Sequence, residues 1–243
     1  RIETSLHHDA VGLPLPIHVS SGTDESADSL NISAGFFDAT AEYLDVPAPW
    51  RDIEWASAHA SGWWPNAWES MRSHMAQISI SLERGRGDTL ENTLALTRIV
   101  AAVAESVDAV GIYWRSGCVV QSVSDFCDVS RNASRENLPL GLWISFGLYE
   151  ISEGQRQLST IGMESLGRRE IEIGPNSLSF GELQELAWWV AYQIIDRDLA
   201  VESGDFFVDD AGVEYLVSFE HSHWDRPGEV MRLELDGRLP PHF

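Results

Sequence analysis

The sequence predicts an α+β protein, a mixed and largely antiparallel sheet with helices packed on it, in a single domain. Three observations predict it. Runs of period-two alternation are interleaved with two long stretches of helical periodicity, each opened by an acid or hydroxyl cap. No repeat period and no Gly/Ser linker divides the 243 residues. The chain is 44% hydrophobic and holds ten Trp, nine Phe and five Tyr, enough apolar surface for a sizeable core.

Residues 1–30 read as the least structured part. Pro14 and Pro16 bracket a short apolar run ending at Val19, a strand fragment, and Ser20–Asp28 is a Ser, Gly and acid loop. A domain over 31–236 and a tail over 237–243 follow. Asn31–Val46 suits a strand or hairpin, which Pro47-Ala48-Pro49-Trp50 ends because proline cannot donate to a ladder. Asp52–Trp68 reads as a helix broken at Gly62-Trp63-Trp64-Pro65, and Ala76–Leu82 as a half-buried strand. Asp88 with Glu91 opens a helix to about Val107, with Leu96, Val100, Val103 and Val107 on one face. Ala109–Val120 reads as a central strand, and Ser122–Val129 as a short helix. Leu138–Glu150 and Gln157–Ile173 are strands or hairpins with Gly154 in the turn between them. Ser179 with Glu182 is a second capping box, opening a helix with a Leu183, Leu186, Val190 and Ile194 stripe. Phe206–Val208 with Val213–Glu220 forms a hairpin turned at Asp209, Asp210 and Gly212, and Met231–Leu235 is a last strand.

Charge narrows the partners. There are 38 acidic residues against 16 basic ones, every one of them Arg, for a net charge of -22. Such a field repels nucleic-acid phosphates and anionic lipid, and it speeds association with a basic protein. No run of apolar residues is long enough to span a bilayer, and Arg1–Gly12 lack the apolar region of a secretory signal. Cys118 and Cys127 are too few for a disulfide framework or a zinc site and read as reduced thiols, which points to the cytoplasm.

No phosphate loop, dinucleotide turn, nucleophile elbow or zinc-protease helix is present, so no enzyme class and no cofactor is indicated. The remaining candidates are weak. His221 and His223, with Asp225, have the spacing of a metal clasp but lack a third ligand in register. Glu170 and Glu172 share a strand face near Arg168 and Arg169, where an ion-pair network is expected over acid–base work. Cys118 follows Arg115, but no base is close in sequence. In Trp63-Trp64 and Trp188-Trp189, neighbouring side chains diverge by about 100° on a helix, so one of each pair belongs near the surface as a possible interface anchor.

Several segments, in order, carry a resemblance. They are Pro47-Ala48-Pro49-Trp50, Gly62-Trp63-Trp64-Pro65-Asn66 with His74, and Ile112-Tyr113-Trp114-Arg115-Ser116-Gly117. Leu138-Pro139-Leu140 with Leu142-Trp143 follows. The last runs from Thr160-Ile161-Gly162-Met163-Glu164 through Leu166-Gly167-Arg168 to Glu170-Ile171-Glu172. Between about Ser33 and Leu235 the chain resembles the bacterial family catalogued as domain of unknown function 4261. That resemblance implies a fold and an association with toxin-delivery and immunity genes, with no established activity. It marks Trp114, Arg115, Gly162, Glu164, Gly167, Arg168 and Glu170 as a binding or structural network. The expectation is a non-enzymatic, cytoplasmic immunity protein that neutralises a basic secreted effector. The alternative is a small-ligand sensor or enzyme with an anion site near Arg115, Glu164 and Arg168.

Overall fold

The structure, a computed structural model, describes residues 17–21, 28–34, 37–85, 87–224 and 226–235. It is α+β, with mixed and largely antiparallel strand pairing, as the sequence predicts. The chain divides into two compact units, Arg1–Leu142 and Trp143–Phe243. Where the sequence suggests one sheet, the strands sort into a four-stranded, a six-stranded and a two-stranded sheet.

In the first unit, β1 (Ile17–Ser21), β2 (Asp28–Ala34), β3 (Phe37–Leu44) and β4 (Gln77–Arg84) pair in that order, all antiparallel. Within the segment expected to be poorly structured, β1 and the start of β2 are therefore regular strand. Residues 1–16, 22–27 and the 236–243 end lie outside the described residues. Helix α3 (Thr89–Ser106) packs on this sheet, its Ala95, Ile99, Ala102 and Val103 against Ile32, Ala39 and Ala41. Small residues on both sides let helix and strands approach closely. The buried stripe thus runs through Ala95 and Ile99 rather than Leu96 and Val100, which are half-buried. A second helix, α4 (Val123–Arg131), packs on α3. Burial on two sides blurs a one-sided hydrophobic pattern.

The predicted helix break is present. Helices α1 (Trp50–Ala60) and α2 (Ala67–Arg72) flank it and share a core of Ile53, Ala56, Ala60, Ala67, Met71 and Val120. His74 fixes the proline segment to this pair. Its Nε2 accepts from the Ala48 amide at 2.7 Å while Nδ1 lies 2.5 Å from the Met71 carbonyl. That arrangement requires the Nδ1–H tautomer.

The predicted central strand over Ala109–Val120 is instead a small hairpin, β5 (Ile112–Trp114) and β6 (Val119–Gln121). A 3-10 turn over Arg115–Gly117 and a left-handed Cys118 (φ 49°) reverse the chain there. The apolar run conceals this turn because its ends are β-branched on both sides. Gly111, just before β5, has no room for a side chain. A Cβ there would sit 2.6 Å from Met71 Sδ and 2.8 Å from the Trp64 ring.

A short helix, α5 (Leu140–Trp143), ends on the first residue of the second unit. That unit is built on β7 (Ser145–Ser152), β8 (Gln155–Ile161), β9 (Ile171–Asn176), β10 (Phe206–Val208), β11 (Glu214–His221) and β12 (Glu229–Leu235). Their spatial order is β10-β11-β12-β9-β8-β7, with β9 and β12 parallel and every other pair antiparallel. Gly154 makes the β7–β8 turn with φ 73°, a conformation glycine adopts without strain.

Helix α6 (Phe180–Asp196) lies on the face of this sheet that carries Leu158, Ile171, Ile173 and Leu233. Leu183, Leu186, Val190 and Ile194 are buried, together with Ala187, Ala191 and Ile195. Its capping box is complete. Ser179 Oγ accepts from the Glu182 amide at 3.2 Å, and the Ser179 amide donates to Glu182 Oε2 at 2.8 Å. Replacing Ser179 with Ala should lower unfolding stability by about 1 kcal/mol. A Ser179→Thr variant should keep most of it, as read by urea denaturation.

Candidate functional site

The face of the six-stranded sheet opposite α6 is polar where it is most buried. Strand register aligns Gly147, Ser159, Glu172, Arg232 and Ser218 in one row across β7, β8, β9, β12 and β11. Glu172 retains 2% exposure and Arg232 8%, values that charged residues reach only when hydrogen-bonded or paired. The connection between β11 and β12 supplies the partners by folding over the row. Ser222 Oγ donates to Glu172 Oε1 at 2.5 Å, and the His223 amide donates to Oε2 at 3.2 Å. Arg226 donates to Ser159 Oγ at 3.0 Å and to the Thr160 carbonyl at 2.5 Å. Trp224 then packs on Tyr149, ring centroids 4.4 Å apart. Tyr149 lies over Gly147, whose missing side chain makes the space. A Cβ there would be 2.7 Å from the tyrosine hydroxyl.

Arg232 reaches out of the row to Glu220 Oε2 at 2.8 Å and to the ring of His223 at 2.5 and 2.7 Å. The Arg232 hydrogen bond holds the Glu220 carboxyl below the usual carboxylate range. This corrects the expectation that both histidines share one strand face. His221 ends β11, whereas His223 lies beyond the strand, where its two ring nitrogens face a guanidinium instead of a cation-binding space. Asp225 lies outside the described residues. Among the described residues no group of three His, Cys, Asp or Glu is placed to hold a metal.

Glu170 and Glu172 are both buried but serve different places, which corrects the single ion-pair network expected of them. The Glu170 carboxylate accepts from Thr160 Oγ1 and the Gly162 amide, both at 2.7 Å, and from the Glu164 amide at 3.3 Å. It thereby fixes the turn between β8 and the 3-10 segment Glu164–Leu166, where Gly162 (φ 125°) and Gly167 (φ 74°) take left-handed conformations. The arginines expected beside these acids pair elsewhere, Arg168 with Asp198 and Arg169 with Glu229. Glu164 itself is exposed. In the first unit Trp114 is buried against Phe126, ring centroids 6.3 Å apart, and Arg115 is exposed in the hairpin turn.

The two thiols sit in different surroundings. Burial, with help from Glu105, pushes the Cys127 thiol up to about 12, and its Sγ donates to the Ala101 carbonyl at 3.7 Å. Cys118 Sγ lies 3.8 Å from the Tyr113 hydroxyl, and burial together with that contact raises the tyrosine above its ordinary range.

In each aromatic pair one ring is the more exposed, but only Trp188 and Trp189 lie on a helix, since Trp63 and Trp64 fall in the break between α1 and α2. Trp63 is 49% exposed while Trp64 is half-buried against Gly111 and Met71. Trp188 is 36% exposed while Trp189 is half-buried, edge-on to Phe207 at 5.9 Å. Sequence reasoning missed Trp55. It stacks on His59 at 5.2 Å along α1, and Trp63, beyond the end of α1, is edge-on to His59 at 5.4 Å. The spacing 55, 59, 63 was the available signal. On α6, Trp188 stacks on Phe146 at 5.4 Å and forms an open groove with Gly181, Gln184, Glu185, Trp189 and Tyr192, of about 510 Å³.

Compared with protein-family models, curated proteins and solved structures, the chain matches none of them. No helix among the described residues is long and apolar enough to cross a membrane. The geometry defines an α+β scaffold in which the buried Glu170, Glu172 and Arg232 are hydrogen-bonded, while Arg156 Nε, Trp114 Nε1, Asn92 Oδ1 and Ser145 Oγ are buried without a hydrogen-bond partner.

Two outcomes follow from this geometry. Glu170→Gln replaces an acceptor by a donor among three donors, and it should lower stability by about 1–3 kcal/mol in urea denaturation. Tyr215 donates to Asp209 Oδ2 at 2.9 Å, and burial together with that bond raises it from 10.0 to about 12. A raised acid contributes stability that is whole below its unfolded pKa and lost as pH rises through the folded value. The wild type should therefore lose stability between pH 10 and 12. Tyr215→Phe should be about 1 kcal/mol less stable at pH 7 and should show a shallower alkaline loss in pH-dependent melts.

Proposed function

We propose that this chain is a non-enzymatic acidic binding protein whose partner is a basic protein. In its most specific form it is a cytoplasmic immunity protein that binds and neutralises a cognate secreted antibacterial effector. The observation that carries the reading is the charge, 38 acidic residues against 16 basic ones. A field of that sign accelerates encounter with a basic surface and disfavours nucleic acid and anionic membranes. The exposed tryptophans supply the short-range part, since indole anchors dominate protein interfaces while charge sets rate and orientation. The resemblance to the family of unknown function 4261 supplies the association with effector and immunity genes. An effector acting on nucleic acid presents a basic site, and an acidic inhibitor fits such a site as a phosphate mimic.

The alternative anion site has less support, because Arg168 is engaged by Asp198 and the Glu164 carboxylate faces solvent.

The test begins with affinity capture of the tagged chain from its native bacterium at low salt and identification of what co-purifies. The expected result is one basic, effector-like protein in stoichiometric amount, released by high salt and non-toxic to cells only when this chain is co-expressed. The association rate should fall steeply between low and physiological ionic strength. A rate indifferent to salt would remove the electrostatic reading, and toxicity unaffected by co-expression would remove the immunity reading.

A further inference from the structure

The groove on the outer face of α6 has three properties that together define an occupant. Its floor and wall are aromatic, Trp188, Trp189 and Tyr192. Trp188 is fixed by its stack on Phe146 and Trp189 by its edge contact with Phe207, so the rings are held before anything binds. Its opening is made by Gly181, where an added Cβ would meet only Ser179 Oγ at 3.9 Å. Its charge is of one sign. Glu182, Glu185 and Asp196 are the charged residues of α6, and Glu185 lines the groove. Arg156, beside the helix start, is turned over Phe180 at 5.1 Å and donates to the Leu178 carbonyl at 3.1 Å.

From these we infer that the α6 groove is the docking site for an arginine side chain on an exposed segment of the basic partner. The inference rests on the proposed function and names its surface. Arginine is favoured over lysine by the chemistry. A planar guanidinium stacks on an indole face and at the same time pairs with a carboxylate through two parallel N–H donors, and Glu185 lies beside the indoles. An ammonium makes only a point contact. The prepositioned rings lower the ordering cost of binding, which is where small aromatic grooves gain affinity.

The probe is a set of three short peptides, Gly-Ser repeats carrying Arg, Lys or uncharged citrulline at the same positions, titrated at low salt. Binding is read by isothermal calorimetry and by the indole N–H resonance of Trp188, assigned through Trp188→Phe. Expected is the order Arg, Lys, citrulline, with the Trp188 resonance moving on Arg binding. Gly181→Leu fills the groove from an open position and should weaken the Arg peptide about tenfold or more, while Gly181→Ala should not. Exposed Glu185→Gln keeps the fold and should erase the preference for Arg over Lys, which keeps the inference falsifiable if Gly181→Leu unfolds. Equal, salt-sensitive binding of the Arg peptide to the wild type and to Gly181→Leu and Glu185→Gln overturns the groove and leaves the acidic-binding reading standing. No binding of any cationic peptide at low salt overturns both.

Discussion

The second unit depends on burying the Glu172 side chain without leaving its carboxyl oxygens unmatched. A carboxylate at 2% exposure in the middle of a sheet costs several kcal/mol unless donors reach it. The β11–β12 connection brings those donors, and the sheet is arranged to receive it. Ser159 and Thr160 accept Arg226, Gly147 leaves space for Tyr149, and Tyr149 receives Trp224. The two faces of one sheet therefore solve different problems. Under α6 the requirement is apolar area. On the other side it is hydrogen-bond satisfaction, which fixes the path of a loop that has no regular structure of its own.

Much of the scaffold was legible because local signals and tertiary packing agree. The Ser179 and Glu182 capping box, the break at Gly62–Pro65 and the turn at Gly154 are each specified by neighbouring residues alone. What was not legible depends on contacts distant in sequence. Nothing around Glu172 announces that Ser222 and His223, about fifty positions away, will donate to it. The Ala109–Val120 run reads as one strand because apolar, β-branched residues look alike on either side of a turn. Only Arg115-Ser116-Gly117 marks the reversal. The stripe on α3 was misplaced because α4 covers a second face, a fact no single-helix pattern contains. The surface pairs were half legible. The helical angle applies to Trp188 and Trp189, whereas Trp63 and Trp64 part in a helix break, where Gly111 admits the Trp64 ring.

Acidic charge and aromatic exposure act at different ranges, which explains how one molecule carries both without contradiction. Surplus carboxylates scattered over a surface are weak contributors to a docked contact, since exposed ion pairs yield at most about 1 kcal/mol. They act before contact, and salt screens them over about 8–10 Å. Indoles act only after contact, by removing water from a large rigid surface. On α6 both occur on one helix. Its inner stripe binds the sheet and its outer face holds the tryptophans and acids, so the surface chemistry is as rigid as the core beneath it.

Several residues of the segments singled out in the sequence serve the scaffold in this structure. His74 joins Pro47–Trp50 to the end of α2, Trp114 packs on Phe126, and Glu170 holds the Gly162 turn. Trp143 is wholly buried. Such residues stabilise a fold and say little about what it contacts, because His74, Trp114 and Glu170 are each held by neighbours within their own unit. Most buried polar groups are satisfied in this way, and the exceptions among the described residues, Asn92 Oδ1 and Trp114 Nε1 in the first unit and Ser145 Oγ and Arg156 Nε in the second, are divided between the two units. Exposed carboxylates, the indole rings of Trp55 and Trp63 and the groove on α6 are the surface features open to an outside contact.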